Sequence, residues 1–153
     1  MLVPNVLLVD DEPRQLNLRA EILRVSGFSV MTAPGVMEAM SIIETRTQKI
    51  DVAVLDYQMP IMNGCALADL LRSRRPEVKI ILHSGSDDIP RSEMTSVDVF
   101  IPKSNGVGAL VQGVTGFATA GMTSALPRPS RQTCFESGTR QSCGQFFNFH
   151  GRY

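Results

Sequence analysis

Five polar side chains in this sequence could together accept and hold a phosphoryl group. Asp10 and Asp11 follow one short apolar run, Asp56 and Ser84 end two others, and Lys103 follows a fourth. Crowded carboxylates repel unless a cation neutralises them, and aspartate oxygens are ligands that Mg²⁺ prefers. An aspartate can attack phosphorus when a metal draws charge from the transferring oxygens, while a lysine and a hydroxyl hold the product phosphate. If these side chains meet, they suit formation of an aspartyl phosphate.

Alternating strands and helices over residues 1–104 would bring these side chains together. Short apolar runs that are typical of buried parallel strands lie at Val6–Val9, Phe28–Thr32, Val52–Leu55, Ile80–Leu82 and Val99–Ile101. Segments with the apolar spacing of helices separate them. The alternation predicts an α/β fold, a flavodoxin-like, doubly wound, five-stranded parallel sheet of (βα)5 type. In such sheets, sites form at the carboxyl ends of the strands, where the strand order switches.

The chain changes character after Lys103. Residues 107–117 have the apolar spacing of a last helix, but four glycines lie in or beside it. Each glycine costs about 1 kcal/mol relative to alanine inside a helix, so this helix is predicted to be weak. Beyond it, glycine, serine, threonine, proline and arginine dominate. We therefore expect a folded domain over residues 1–117 and an irregular, disordered or loosely docked tail over 118–153.

The overall composition argues against several classes of protein. The 153 residues carry a formal net charge of +0, which gives no reason to expect direct binding to nucleic acid. No apolar run is long enough to span a membrane, and no signal peptide is recognisable, so a cytoplasmic location is expected. Cys65, Cys134 and Cys143 have neither disulfide-framework nor zinc-site spacing. His83, at the end of an apolar run, is interpreted as a buried or half-buried histidine and not as a metal ligand.

Several short motifs resemble the receiver domain of two-component response regulators, in particular its single-domain, CheY-like members. They are Val6-Leu-Leu-Val-Asp-Asp-Glu-Pro13, Val54-Leu-Asp-Tyr-Gln-Met-Pro60, Met62-Asn-Gly64, Ser84-Gly85 and Phe100-Ile-Pro-Lys103. They occur in the order and at the spacing of that family, and the resemblance covers roughly residues 3–116. It implies a receiver domain over residues 1–117 that acts in phosphorelay signal transduction.

The resemblance also implies a role for each acidic residue. Asp56 would accept a phosphoryl group from a histidine kinase or a phosphotransfer protein. Asp11 and Asp56 would ligate Mg²⁺ directly, Asp10 would do so mainly through water, and the backbone carbonyl of Gln58 would add a further ligand. Such a protein catalyses its own phosphorylation and dephosphorylation without being a conventional enzyme.

Three further residues receive roles from the resemblance. Ser84 would hydrogen-bond the phosphoryl group, and Lys103 would pair with Asp56 or its phosphate. Phe100 occupies the aromatic switch position and, with Ser84, would change conformation on phosphorylation. The chain would then signal to an unknown downstream protein through protein contacts, without a membrane partner, and the resemblance leaves open a homodimer.

The sequence departs from the receiver pattern at three places. Ser104 replaces the proline that usually follows the lysine, Pro90 leaves only a stub for the fourth helix, and the last helix is glycine-rich. An interaction module that works without phosphorylation, or a fragment of a larger regulator or hybrid kinase, therefore stays open as an alternative. A phosphatase of the haloacid-dehalogenase type is disfavoured, because it needs a second acid where Gln58 stands.

Overall fold

A computed structural model describes residues 3–122 of the chain. Five strands, β1 to β5, span Asn5–Val9, Ser29–Ala33, Val52–Leu55, Lys79–Ser84 and Val99–Pro102. Four helices, α1 to α4, span Pro13–Val25, Val36–Glu44, Gly64–Arg74 and Gly106–Met122, and a 3₁₀ turn over Lys103–Asn105 precedes α4. All strand pairs are parallel, in the order β2-β1-β3-β4-β5. The predicted flavodoxin-like sheet is confirmed.

The core has two layers, one on each face of the sheet. Side chains alternate along β1, so that Val6 and Leu8 face one layer while Leu7 and Val9 face the other. Helices α1 and α4 cover the first face, and α2 and α3 cover the second. Because both faces are buried, the middle residues of β1, β3 and β4 are apolar, and the acidic residues come only where β1 and β3 end.

Local sequence signals set the ends of helices α1 and α3. Pro13 opens α1, where its missing N–H is not needed. Gly27 follows the helix with a φ of 97°, a conformation that favours glycine. Asn63 caps α3, since its Oδ1 accepts a hydrogen bond from the Ala66 backbone N–H at 2.9 Å. Helix α3 ends before Pro76, as the sequence predicts.

The connection between β4 and β5 corrects the expected five strand–helix units. Within the described chain, residues 85–98 form turns and no helix. Pro90 has no N–H to donate, which disfavours a helix here. The carbonyl oxygens of Pro90 and Arg91 instead accept turn hydrogen bonds from the backbone N–H groups of Glu93 and Met94, three residues further along the chain. The Arg72 guanidinium binds the carboxylate of Asp98 at 2.6 Å and fixes the far end of the segment.

The last helix is longer than predicted. Helix α4 continues past Phe117 to Met122 and is unbroken across its internal glycines. Leu110 and Val114 are fully buried, so packing against the sheet stabilises a helix of modest intrinsic propensity. The remaining part of the predicted tail, residues 123–153, lies outside the described residues. Between residues 3 and 122, no helix is long and apolar enough to cross a membrane.

Candidate functional site

Three aspartates meet at the carboxyl ends of β1 and β3. These strands are neighbours in the sheet, with Val9 in register with Leu55, and each continues directly into the acidic residues. The Asp56 backbone N–H extends the pairing by donating to the Val9 carbonyl at 2.9 Å. As a result, Asp10, Asp11 and Asp56 each offer a carboxylate oxygen within 4.8 Å of the others. The structure thus brings the predicted acidic cluster together at the switch in strand order.

Lys103 bridges two of these carboxylates. Its Nζ lies 3.1 Å from Oδ2 of Asp10 and 3.1 Å from Oδ1 of Asp56. The 3₁₀ turn after β5 carries the lysine across the edge of the sheet to reach them. One ammonium therefore neutralises part of the charge on two buried carboxylates, which would otherwise be costly to bury side by side.

The two oxygens of Asp56 have different surroundings. Oδ1 accepts a hydrogen bond from the Tyr57 backbone N–H at 3.0 Å and also contacts Lys103. Within the described part of the chain, Oδ2 accepts no hydrogen bond. Burial raises the pKa of Asp56, since the residue is only 7% exposed, and Lys103 opposes that rise while the Asp10 charge adds to it. Oδ2 is consequently the oxygen with lone pairs available to a ligand or an electrophile.

Gly64 packs closely against the backbone of Asp56 and so fixes its position. A β-carbon built on Gly64 would lie 2.2 Å from the Asp56 carbonyl oxygen and 2.9 Å from a Leu82 methyl group. The Gly64 backbone N–H donates to the Tyr57 carbonyl at 2.9 Å. Only glycine allows the start of α3 to approach the backbone of Asp56 this closely.

Arg19 is a member of the site that the sequence analysis missed. It lies on the buried face of α1, and its guanidinium donates to Oδ2 of Asp10. A signal existed in the sequence, because Arg19 falls within the apolar stripe formed by Leu16, Ala20 and Leu23. A charged residue on such a stripe needs a buried partner.

Comparison with known proteins assigns the fold and the site to a family. A family model described as the response regulator receiver domain matches residues 6–115. The chain belongs to this family. The matched residues include the three aspartates and Lys103, so the site described above lies inside the receiver domain.

Curated relatives share the receiver domain over part of their length. The chain is 36% identical over 84 residues to the probable transcriptional regulatory protein TcrX of Mycobacterium tuberculosis, covering 55% of this chain and 35% of that protein. It is 29% identical over 107 residues to the heme response regulator HssR of Staphylococcus aureus, covering 69% of this chain and 47% of that protein. The receiver thus spans about a third to a half of these relatives.

Solved structures agree on the fold. The response regulator TrrA of Thermotoga maritima, solved in complex with Mg²⁺-BeF, has a TM-score of 0.69 and 27% identity, covering 75% of this chain and 99% of that one. A CheY-like receiver domain protein of Methanospirillum hungatei has a TM-score of 0.73 and 23% identity, covering 80% and 98%. At that lower identity, the second likeness shows the fold alone.

Three other predicted site residues, Ser84, Gln58 and Phe100, make no hydrogen bond to the three aspartates within residues 3–122. Ser84 is buried at the end of β4, where its Oγ accepts a hydrogen bond from the Ser86 N–H at 3.1 Å. Among the described residues, no hydrogen bond joins it to Asp56. Gln58 is exposed in the loop after β3, and Phe100 is half-buried on β5 against the α2–α3 layer. Their predicted roles in phosphate and metal binding and in switching stay predictions.

A second contact missed by the sequence analysis joins the loop after β3 to residues 85–98. The Tyr57 hydroxyl donates to Oε2 of Glu93 at 3.0 Å, and the Asn63 side-chain amide approaches the same oxygen at 3.5 Å. Tyr57 directly follows Asp56, while Glu93 belongs to residues 85–98. No periodic pattern in the sequence indicates this pairing, because it joins two irregular loops.

Two titratable residues near the site have structural surroundings. His83 is buried, and its Nδ1 lies 2.9 Å from the Ile101 carbonyl oxygen, which fits the predicted buried histidine. Burial lowers its pKa. Burial likewise raises the pKa of the Cys65 thiol to about 11, so this cysteine stays protonated and unreactive at neutral pH.

The acidic cluster has the chemistry of a magnesium site. Its donors are carboxylate oxygens, and Asp11 is exposed while Asp56 retains Oδ2. Three carboxylates against the cations Lys103 and Arg19 leave one net negative charge for a metal to compensate. The residues present therefore fit a hard divalent cation that keeps several waters.

Proposed function

We propose that Asp56 accepts a phosphoryl group from a phosphohistidine of a histidine kinase or a phosphotransfer protein, in a reaction that depends on Mg²⁺. The observation that carries this proposal is the meeting of Asp10, Asp11 and Asp56 at one sheet edge, with Lys103 bridging two of them. Asp11 and Asp56 would hold the metal directly, Asp10 through water, and the Gln58 backbone carbonyl would complete the protein ligands.

The chain's own residues account for most of the chemistry. Oδ2 of Asp56 attacks phosphorus in line with the bond to the donor's imidazole nitrogen. A new O–P bond forms while the N–P bond breaks, and its electron pair returns to the imidazole. Lys103 shifts from the Asp56 carboxylate to the incoming phosphoryl oxygens, and Ser84 donates a hydrogen bond to them. A bound Mg²⁺ would supply charge compensation for those oxygens.

The phosphorylated domain would then signal through protein contacts. A phosphate adds roughly two negative charges beside Tyr57, whose contact with Glu93 leads into residues 85–98. Phe100 lines the same groove as several residues of that segment. We infer that Ser84 and Phe100 act as the switch pair, and that the receiver catalyses its own phosphorylation and dephosphorylation.

The comparisons support a place in two-component signalling. One relative, the sensor kinase CckA of Brucella abortus, is 36% identical over 80 residues, which cover 52% of this chain and 8% of that protein. The name of another describes a transcriptional regulatory protein. A partner kinase and a downstream protein target are therefore proposed for this chain. A second candidate is that the sequence is a domain of a larger regulator or hybrid kinase, because it covers only part of its curated relatives.

Phosphorylation by a small donor tests the proposal. The protein is incubated with acetyl phosphate and Mg²⁺, and intact-mass spectrometry detects a base-labile phosphoryl adduct. We expect the adduct on the wild-type protein and on Asp88→Asn, a change at an exposed carboxylate of residues 85–98. Asp56→Asn should show none, and Asp11→Asn should require far more Mg²⁺. An equal adduct on Asp56→Asn would contradict the proposal, and no adduct at all would favour an interaction module that works without phosphorylation.

A further inference from the structure

Arg19 is a buried cation inside the acidic site. Its side chain is 6% exposed and is held at both ends of the guanidinium. Nη1 donates to Oδ2 of Asp10, and Nη2 donates to Oε1 of Gln15 at 2.9 Å, one turn earlier on α1. Helix α1 is itself fixed by Leu16, Ala20 and Leu23 in the core. The charge therefore cannot swing into solvent without losing two hydrogen bonds.

The Oδ2 oxygen of Asp10 is consequently saturated by protein donors, and only Oδ1 keeps a lone pair for a metal-bound water. Oδ1 accepts the Glu12 backbone N–H at 2.9 Å. Oδ2 accepts both Arg19 and Lys103, the latter at 3.1 Å. A carboxylate oxygen has two lone pairs, so Oδ2 has none left for a metal or for a metal-bound water. Arg19 thus competes with a cation for the same carboxylate.

We propose that Arg19 is a positioning residue that acts as an internal counter-ion: it holds the Asp10 carboxylate in place and weakens the binding of a divalent cation. The inference rests on the proposed metal site at Asp10, Asp11 and Asp56. A fixed positive charge one carboxylate away repels a second cation, and burial strengthens that repulsion. The receiver therefore needs more Mg²⁺ to fill its site than it would with a neutral side chain at this position.

The test is Mg²⁺ titration calorimetry on the full chain at low salt, without any phosphodonor. Low salt matters because ions screen the repulsion. Arg19→Gln removes the charge but keeps an amide that can bond Asp10, and we expect its dissociation constant for Mg²⁺ to fall about tenfold. Arg19→Lys restores the charge and should return the constant to within about twofold of the wild type. Arg24→Gln removes an exposed arginine of the same helix, paired with Glu21, and should change nothing.

A second variant covers the case in which Arg19→Gln does not fold, which circular dichroism would reveal. Gln15→Met keeps the arginine charge but removes its second anchor, and we expect Mg²⁺ to bind about twofold to threefold more tightly. Unchanged Mg²⁺ affinity in the folded variants overturns the inference, as does weaker Mg²⁺ affinity of Arg19→Gln.

Asp11→Asn separates this inference from the proposed function. If Asp11→Asn binds Mg²⁺ as the wild type does, the proposed metal site is wrong, and the inference falls with it. If Asp11→Asn loses Mg²⁺ binding while Arg19→Gln matches the wild type, the metal site stands and only the role of Arg19 is refuted. If neither the wild type nor Arg19→Gln binds Mg²⁺, both are overturned.

Discussion

Replacing Gly64 by alanine should damage both the fold and the site. The added β-carbon would lie 2.2 Å from the Asp56 carbonyl oxygen and 2.9 Å from its carbonyl carbon. Optimal contacts between such atoms lie at about 3.5 Å, so the overlap exceeds about 1 Å. The atoms in the way belong to backbone and cannot rotate aside. Relief therefore requires the start of α3 and the Asp56 loop to separate.

The size of the effect follows from this geometry. Overpacking a well-packed core usually costs about 1–3 kcal/mol, and more when backbone must move. We expect Gly64→Ala to lower the free energy of unfolding by about 3 kcal/mol. The matched control is Gly108→Ala inside α4, where the new β-carbon would lie more than 4 Å from every described atom outside the neighbouring helix backbone. That change should raise the free energy of unfolding by about 0.5–1 kcal/mol, because alanine favours helix.

Urea denaturation followed by circular dichroism measures both free energies on the same protein. Where Gly64→Ala remains folded, the rate of adduct formation with acetyl phosphate should also fall, because Asp56 moves with its carbonyl group. Gly108→Ala should keep the wild-type rate. An unfolding free energy for Gly64→Ala that equals or exceeds the wild-type value would refute the argument that close packing behind Asp56 fixes its position.

Three further predictions concern stability. Burial raises the pKa of Asp56, so the ionised carboxylate destabilises the folded protein at neutral pH. Without Mg²⁺, Asp56→Asn should therefore raise the melting temperature at neutral pH. This gain should shrink as the pH falls through the raised pKa of Asp56. A gain that grows on acidification would contradict this. Burial lowers the pKa of His83, so the wild-type protein should lose stability as the pH falls below about 6.5. In thermal melts His83→Gln should lose less stability over the same pH range. An equally steep loss in the variant would contradict this role of His83. Ile61 has a φ of 78°, which strains a residue with a side chain, and it is 80% exposed. Ile61→Gly should therefore raise the free energy of unfolding, measured by urea denaturation, by about 0.5 kcal/mol. A lower free energy of unfolding would show that the backbone at Ile61 is not strained.

The sequence predicts most of the sheet and the acidic cluster because buried parallel strands have a simple signature. Their apolar runs end where polar residues begin, and the ends of β1 and β3 are therefore visible as Asp10 and Asp56. Parallel pairing then dictates that these residues meet at one edge. Lys103 is predictable for the same reason, since it follows the last strand.

The remaining features depend on tertiary contacts that no local pattern contains. Gly113 counts as a helix-weakening residue in the sequence, but a β-carbon there would lie 2.5 Å from an Ile101 methyl group, so its small size serves packing. Arg19 interrupts an apolar stripe, and its partner Asp10 cannot be identified without the fold. The contact between Tyr57 and Glu93 joins two irregular loops, and one of them, residues 85–98, is anchored through Asp98.

The most direct test of the account is to locate the phosphoryl group. The wild-type protein is treated with acetyl phosphate and Mg²⁺ and then with borohydride, which reduces an acyl phosphate to an alcohol, before peptide mass spectrometry. The account predicts that the peptide containing Asp56 carries the reduced residue, that chelating Mg²⁺ removes it, and that the peptide containing Asp10 and Asp11 is unmodified. Modification at Asp10, Asp11 or another carboxylate, with Asp56 unchanged, would contradict it.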